Sequence, residues 1–303
     1  MASGMGKIAL PTQALTILAL LAALLPASKA LGTEIDLTNP YPPPGTDGQS
    51  FATGTSPGGS GVIYQTADTK PAGTGVFLPF LSIQPIPSKP SDGVGAEQGY
   101  NTSSGGPGQG YLDTKRVPQW NHDLHVSDLG VFSPDGKTSY YVFERDANEK
   151  GNGNIDRLLS IDNIRIYTSS TDTASSVGND ISKLESLGTL RYAQNQPLQV
   201  GGQFNAANWV LIDASKAEGG STSGSGSSDM FVLVPQILFA GAKPTDFVYF
   251  YNLNGIHNPS DSGFEEWRAL TSVPDGGNTL VLLGSGLTAL GFFASRRRMA
   301  GNA

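Results

Sequence analysis

Cysteine is absent from this chain, and histidine occurs only three times among its 303 residues. The missing cysteine excludes disulfides, thiolate nucleophiles and metal sites that use a Cys ligand. Any folded body must therefore be held together by its hydrophobic core, and a chain of this length is long enough to bury one.

Basic side chains are scarce in the central part of the chain. Between Leu31 and Ser272 there are 14 Lys and Arg against 25 Asp and Glu. This acidic balance argues against nucleic acid and anionic lipid as partners, because both are bound through a basic face. It is compatible with solubility outside the cell and with binding of divalent cations.

Long hydrophobic runs are also missing, except for one short run near each end. At the N-terminus, Lys7 precedes an apolar run over Ala14 to Leu25, and small residues follow at Ser28 and Ala30. This order is typical of a secretory signal peptide, residues 1–30, with cleavage after Ala30. The sequence therefore predicts export.

The C-terminal run is part of a three-part segment over 273–298. Its motif is Val273-Pro274-Asp275-Gly276-Gly277, its apolar part runs from Leu280 to Ala294, and its basic part is Arg296-Arg297-Arg298. The apolar part would span roughly 22 Å as a helix, against a hydrocarbon core of about 30 Å, which suits a transient membrane segment. The arginines would hold that end in the cytoplasm. An ordinary single-span tail anchor is the alternative.

This segment resembles the PEP-CTERM class of bacterial sorting signals, in the Val-Pro-Asp variant. The resemblance implies processing by an exosortase-type membrane protease. It further implies a final location at the cell surface or outside the cell, after transient anchoring in the membrane.

The region between the two ends changes in composition along its length. Residues 31–72 are rich in Pro, Gly, Ser and Thr and predict a flexible lead-in. Residues 73–270 contain recurrent strand-length runs between turn signals, including a hairpin about Ser133–Lys137 and a short helix over Asp180–Leu187. We expect an all-β fold, a single antiparallel β-sandwich or jelly roll.

Four further segments support this architecture by resemblance. They are Glu97–Thr102, Leu158–Asp162, Gly224–Met230 and Gly263–Trp267. Together they resemble the bodies of exported PEP-CTERM proteins that have no assigned activity. The resemblance implies an exported β domain that includes part of the Gly-rich stretch Lys89–Gly110, and it implies no chemistry.

An oxygen-rich stretch is the best candidate for a metal site. Glu144, Asp146, Asn148 and Glu149 could supply Ca²⁺ ligands, with Asp229 joining from another strand. A standard twelve-residue calcium loop is excluded, because Lys150 and Arg157 replace two of its ligands. A solvated acidic turn is the alternative reading.

Two tryptophans are candidates for binding sugar. Trp120 and Trp267 have polar sequence neighbours, which predicts exposed rings on which a sugar could stack. His122 and His125 are close in sequence, but no third metal ligand can be assigned to them.

Three functions remain open. The first is a non-catalytic protein of the cell surface or extracellular matrix that associates with surface polysaccharide. The second is a carbohydrate-binding module with a possible Ca²⁺ site, and the third is a secreted hydrolase. The sequence favours the first, and no catalytic residue is predicted.

Overall fold

A computed structural model describes residues 32–38, 53–56, 59–66, 77–84, 96–105, 110–114, 117–148, 158–214, 228–260 and 263–271. The strands belong to one compact unit that begins at Thr33. The predicted signal peptide with Ala30, the sorting segment 273–298 and Glu149 lie outside the described residues. No helix within the described ranges is long and apolar enough to cross a membrane.

The described residues form short strands joined by turns. In chain order the strands are β1 (Glu34–Asp36), β2 (Thr53–Thr55), β3 (Ile63–Thr66), β4 (Leu81–Ile83), β5 (Glu97–Tyr100), β6 (Leu124–His125), β7 (Val131–Phe132), β8 (Tyr140–Ala147), β9 (Leu158–Ser169), β10 (Thr189–Ala193), β11 (Gln199–Val200), β12 (Gln203–Phe204), β13 (Trp209–Asp213), β14 (Met230–Pro235), β15 (Phe247–Asn254) and β16 (Glu265–Ala269). Helical elements are α1 (Ala174–Val177) and 3₁₀ turns at Val126–Asp128, Ile181–Leu187 and Gln236–Phe239.

Two large sheets are built from these strands. The first has the order β1-β13-β9-β15-β5, with β10 also on β9 and β6 also on β15. The second has the order β2-β3-β14-β8-β16-β4, with β7 also on β8. Neighbouring strands are antiparallel except β1, which runs parallel to β13. Strands β11 and β12 form a separate hairpin.

The main hydrophobic core lies between the two sheets. Phe143 and Trp267 of the second sheet, and Ile161 and Phe250 of the first, are fully buried in it. Strand alternation explains this placement, because residues two apart point to the same face of a sheet. The predicted all-β sandwich is therefore confirmed.

A second core covers the outer face of the first sheet. Tyr167, Tyr249 and Leu253 point away from the second sheet and pack against Leu184 and Leu187 of the 3₁₀ turn. This turn is the segment predicted as a short helix, and it begins where Asp180 accepts a hydrogen bond from the Ser182 amide.

The predicted hairpin is present, as β7 and β8. Asp135 accepts hydrogen bonds from the backbone N–H groups of Lys137 and Thr138, and Gly136 has a φ of 65°. These are the features that make Asp and Gly favourable in tight turns.

The prediction of a flexible lead-in over 31–72 is wrong for the part of it that the structure describes. Strands β1, β2 and β3 lie within it and pair in the two sheets. Ile35 and Tyr64 are buried in the main core, so each short strand has an apolar anchor despite the Pro- and Gly-rich composition around it.

Candidate functional site

The candidate site is built around a β-bulge in strand β9. Leu253 of β15 is opposite Asn163, but the next residue, Asn254, is opposite Ile161, so Asp162 is the extra residue. Ile161 points into the main core. Bulges re-aim side chains and are frequent next to functional sites. Here the bulge directs a carboxylate to the outer face of the first sheet.

The loop after β15 is fixed on this bulge. Its Gly255 amide donates to the Ser160 carbonyl at 3.0 Å, and the Asn258 carbonyl accepts from the Ser160 amide at 3.2 Å. The Ser160 hydroxyl accepts from the amides of His257 and Asn258 at 3.1 and 2.9 Å. Two backbone–backbone hydrogen bonds and two hydrogen bonds to the Ser160 hydroxyl therefore hold this loop against β9.

Asp162 orients the imidazole of His257. Its Oδ1 lies 2.6 Å from His257 Nδ1, and its Oδ2 accepts from the Ser160 hydroxyl at 2.9 Å and the Ile256 amide at 2.7 Å. The carboxylate is fully buried, whereas the His257 side chain is 32% exposed. With Nδ1 turned to Asp162, Nε2 is the ring nitrogen left for other partners.

The imidazole stacks on Trp209 of β13. The two ring centroids are 3.9 Å apart and the planes differ by 14°. Trp209 points to the outer face, because its neighbour Val210 is buried in the main core. We call this half-exposed stacked pair the Trp209–His257 platform.

Polar groups surround the platform. Exposed Glu34 of β1 is paired directly with Trp209. The side-chain Nδ2 of Asn195 donates to the backbone carbonyls of Asp162 and Asn208 at 2.6 and 2.7 Å. The backbone N–H of Asn208 donates back to Asn195 Oδ1 at 2.9 Å. The network links Asp162 of β9 to Asn208, the residue that precedes Trp209.

This arrangement allows two kinds of chemistry. Flat rings bordered by carboxylate and amide groups suit a pyranose, whose C–H face is apolar and whose rim is hydroxyl-rich. An imidazole oriented by a buried carboxylate also suits proton transfer. The nearby hydroxyl, Ser160 Oγ, donates to Asp162, and its bond with His257 is to the backbone amide and not to the imidazole.

The predicted calcium residues are only partly brought together. Glu144 lies on the outer face of the second sheet, where Arg268 Nε donates to it at 2.5 Å and Ser228 Oγ also donates. The Ala147 amide donates to Asp229 Oδ2 at 2.7 Å. Burial, and then the charge of Asp146, raise the pKa of Asp229 well above its usual range.

Asn148 is engaged elsewhere, because its side-chain amide donates to the Phe264 carbonyl at 2.9 Å. In the part of the chain that the structure describes, no group of three or more His, Asp or Glu side chains could hold a metal ion. Glu149 lies outside that part. Ca²⁺ binding by this stretch stays a prediction.

The prediction for Trp267 is wrong. Its side chain is fully buried in the main core, where Nε1 donates to Asn252 Oδ1 at 2.9 Å and the ring packs on Phe250. Glu266 and Arg268 point to the opposite face of β16, which is why the sequence neighbours are polar. Trp120 is half-buried in the turn Val117–Asn121, and its role as a platform stays a prediction.

Trp267 borders a buried charged cluster between the sheets. Arg145 lies 5.2 Å from its ring and donates to Asn252, Asn254 and Glu265 at 2.9, 3.0 and 2.6 Å. Burial raises the pKa of Glu265 to about 8, although the Arg145 charge opposes the shift. The charged groups of this cluster are fully buried between the two sheets.

The residues of the platform were missed by sequence reasoning. Asp162 and His257 are 95 positions apart, and the bulge that joins them is set by strand pairing. One local feature of the sequence could have indicated the site. Gly255 and the polar pair His257-Asn258 directly follow an apolar strand, and functional residues often lie in loops at strand ends.

Comparison with known proteins identifies only the C-terminal segment. Residues 272–299 match the VPDSG-CTERM motif, a PEP-CTERM-like exosortase sorting signal. Gly276 stands where the name of the motif has Ser. No curated protein and no solved structure matches the chain. The signal indicates an exported, surface-targeted protein that is sorted by an exosortase-type membrane enzyme.

Proposed function

We propose that this exported protein is a non-catalytic component of the cell surface or extracellular matrix, and that it associates with surface polysaccharide. The observation that carries the proposal is the Trp209–His257 platform, a stacked ring pair on the outer face of the first sheet. The platform belongs to the folded body, and its residues are separate in sequence from the sorting segment 273–298.

The physical basis is the combination of rigidity and mixed polarity. Both rings are held before any ligand arrives, His257 by Asp162 and Trp209 by its strand, so little side-chain entropy is lost on binding. A sugar ring covering them would remove apolar surface from water, while Glu34 is placed to accept hydroxyl hydrogen bonds.

The test is affinity electrophoresis of the chain recovered from its host, in gels that contain the host's surface polysaccharide or defined neutral and acidic glycans. Trp209→Ala should weaken retardation by about tenfold or more, which corresponds to about 1.4 kcal/mol. His257→Ala should weaken it by less, because the indole face remains.

Ile237→Ala is the matched control, since it removes an exposed apolar side chain from another part of the body. Trp120→Ala tests separately whether Trp120, which the sequence predicts as a sugar-stacking ring, contributes to polysaccharide binding. Undiminished retardation of Trp209→Ala would refute the platform, and loss only in Trp120→Ala would move the site to that turn.

A secreted hydrolase is the second candidate, and the Asp162–His257 pair is the observation that favours it. His257 Nε2 would take a proton from water as the water attacks an ester carbonyl, and would return it to the leaving alkoxide. Turnover of acetylated polysaccharide that is lost in Asp162→Asn, with glycan binding retained, would establish this activity. Absence of turnover across glycan and ester panels would leave the binding role.

A further inference from the structure

Exposed apolar side chains gather at the end of the sandwich where the chain leaves the second sheet. Val131, Phe132, Ile237 and Leu270 are 52, 43, 75 and 42% exposed. We call these four residues the exit rim. Apolar side chains exposed together commonly mark an interaction surface.

Strand pairing places the rim at one end of β8. Val131 and Phe132 are opposite Tyr141 and Tyr140. The Leu270 amide donates to the Val142 carbonyl at 2.9 Å. Ile237 follows the β14 residue Pro235, which is also opposite Tyr140. Val131, Phe132 and Leu270 are thus tied to three successive residues of β8, and Ile237 lies two residues beyond the β14 residue that pairs with the same end.

The folded body continues almost to the sorting motif. Thr271 forms a β-bridge with Leu129, and the Gly130 amide donates to the Leu270 carbonyl at 2.6 Å. The matched sorting signal begins at residue 272. Thr271, the last paired residue in the described part of the chain, therefore directly precedes this signal in sequence.

The length of the remaining chain fixes how far the body can lie from the membrane. Eight residues, 272–279, separate Thr271 from the apolar run that starts at Leu280. Fully extended, they reach roughly 26–29 Å. The anchored precursor therefore keeps Thr271 within roughly 29 Å of the lipid surface, and the exit rim lies at the same end of the body.

We propose that the exit rim rests on the lipid bilayer while the precursor is anchored by its sorting segment. The contact is apolar, because the acidic body would be repelled by anionic lipid headgroups. The tether raises the local concentration of bilayer at the rim, so four side chains suffice where they would not hold a free protein. The Trp209–His257 platform lies on the outer face of the other sheet and remains available to polysaccharide. The proposal rests on the sorting signal and not on the proposed function.

The missing cysteine makes the test direct. Single-cysteine variants Phe132→Cys and Ile237→Cys of the full chain, with Val200→Cys as control, are labelled with bimane. Val200 is an equally exposed aliphatic residue in the separate β11–β12 hairpin. The chains are reconstituted into vesicles of phosphatidylethanolamine and phosphatidylglycerol, with or without nitroxide-labelled lipid.

A blue shift and nitroxide-dependent loss of emission at 132 and 237, but not at 200, is the expected result. Equal quenching at all three sites would mean that the tether alone brings the body near the lipid. No quenching at positions 132 and 237 would mean that the exit rim does not contact the bilayer. Either result overturns the proposal. Ile237 is so exposed that its replacement does not endanger folding, and polysaccharide retardation of the same variants reports separately on the platform.

Discussion

Replacing Glu265 by Gln should change how the stability of the body depends on pH. Glu265 is fully buried between the sheets, where Arg145 Nη2 donates to its Oε2 at 2.6 Å. Its Oε1 has no hydrogen-bond partner within the described residues. Burial, the opposing charge of Arg145 and then the charge of Glu97 set a pKa of about 8, against an ordinary value of 4.5.

The sign follows from the raised pKa. Below pH 4.5 both the folded and the unfolded chain carry the proton, and the contribution of Glu265 to stability is fully present. As the pH rises towards 8, the unfolded chain loses the proton and the folded chain keeps it, so stability falls by about 1.4 kcal/mol per pH unit. Over the whole window the loss is about 5 kcal/mol, and it is complete above pH 8.

Urea unfolding of the exported chain between pH 4 and 9 measures this loss. Glu265→Gln should match the wild type near pH 4.5 and become the more stable protein by several kcal/mol above pH 8. Asp135→Asn is the control, because Asp135 is an exposed carboxylate whose pKa is lowered by backbone hydrogen bonds from Thr138 and Lys137. It should keep the wild-type slope.

The opposite outcome is equally clear. If Glu265→Gln is less stable than the wild type at pH 8, the carboxylate is ionised in the folded chain and stabilises it through Arg145. Superimposed wild-type and variant curves would show that Glu265 does not titrate in this range. Both results would refute the reasoning.

Three further changes have defined outcomes. Tyr192→Phe removes the hydroxyl that bonds the Tyr64 hydroxyl at 2.5 Å and should cost about 1–3 kcal/mol in urea unfolding, whereas an unchanged midpoint would contradict the bond. Gly263→Ala should cost about 3 kcal/mol or more, because Gly263 has a φ of 123° and a Cβ there would lie 1.7 Å from the Asn148 carbonyl oxygen; a wild-type midpoint would contradict this. Deleting Val273–Gly277 should leave the C-terminal tail on the recovered protein by intact mass, while Gly276→Ser should be processed normally; a shortened deletion product would refute the motif.

The elements predicted correctly depend on local chemistry. The hairpin between β7 and β8 follows from the Pro134-Asp135-Gly136 turn, and the 3₁₀ turn at Ile181–Leu187 follows from the Asp180 cap. The long apolar strands β9 and β15 carry enough buried residues to be read from pattern alone. Local signals of this kind are complete within a few residues, so no knowledge of the fold is needed.

The misses depend on pairing between distant segments. The strands within 31–72 are three or four residues long, and β1 and β3 pair with β13 and β14, more than a hundred residues away, while β2 pairs with β3. Trp267 was judged by its sequence neighbours, although alternation along a strand places neighbours on opposite faces. The Trp209–His257 platform is formed by the bulge in β9, the loop after β15 and strand β13. These segments are far apart in the sequence, so no single local pattern predicts the platform.

The position of β16 links the completion of folding to sorting. It is the last of the described strands, yet it lies inside the second sheet, where it joins β8 to the much earlier β4. Export from the N-terminus delivers β16 last, immediately ahead of the sorting motif. On export from the N-terminus, the second sheet would be complete only after the chain up to Ala269 has crossed the membrane, and until then β4 would lack its neighbour β16.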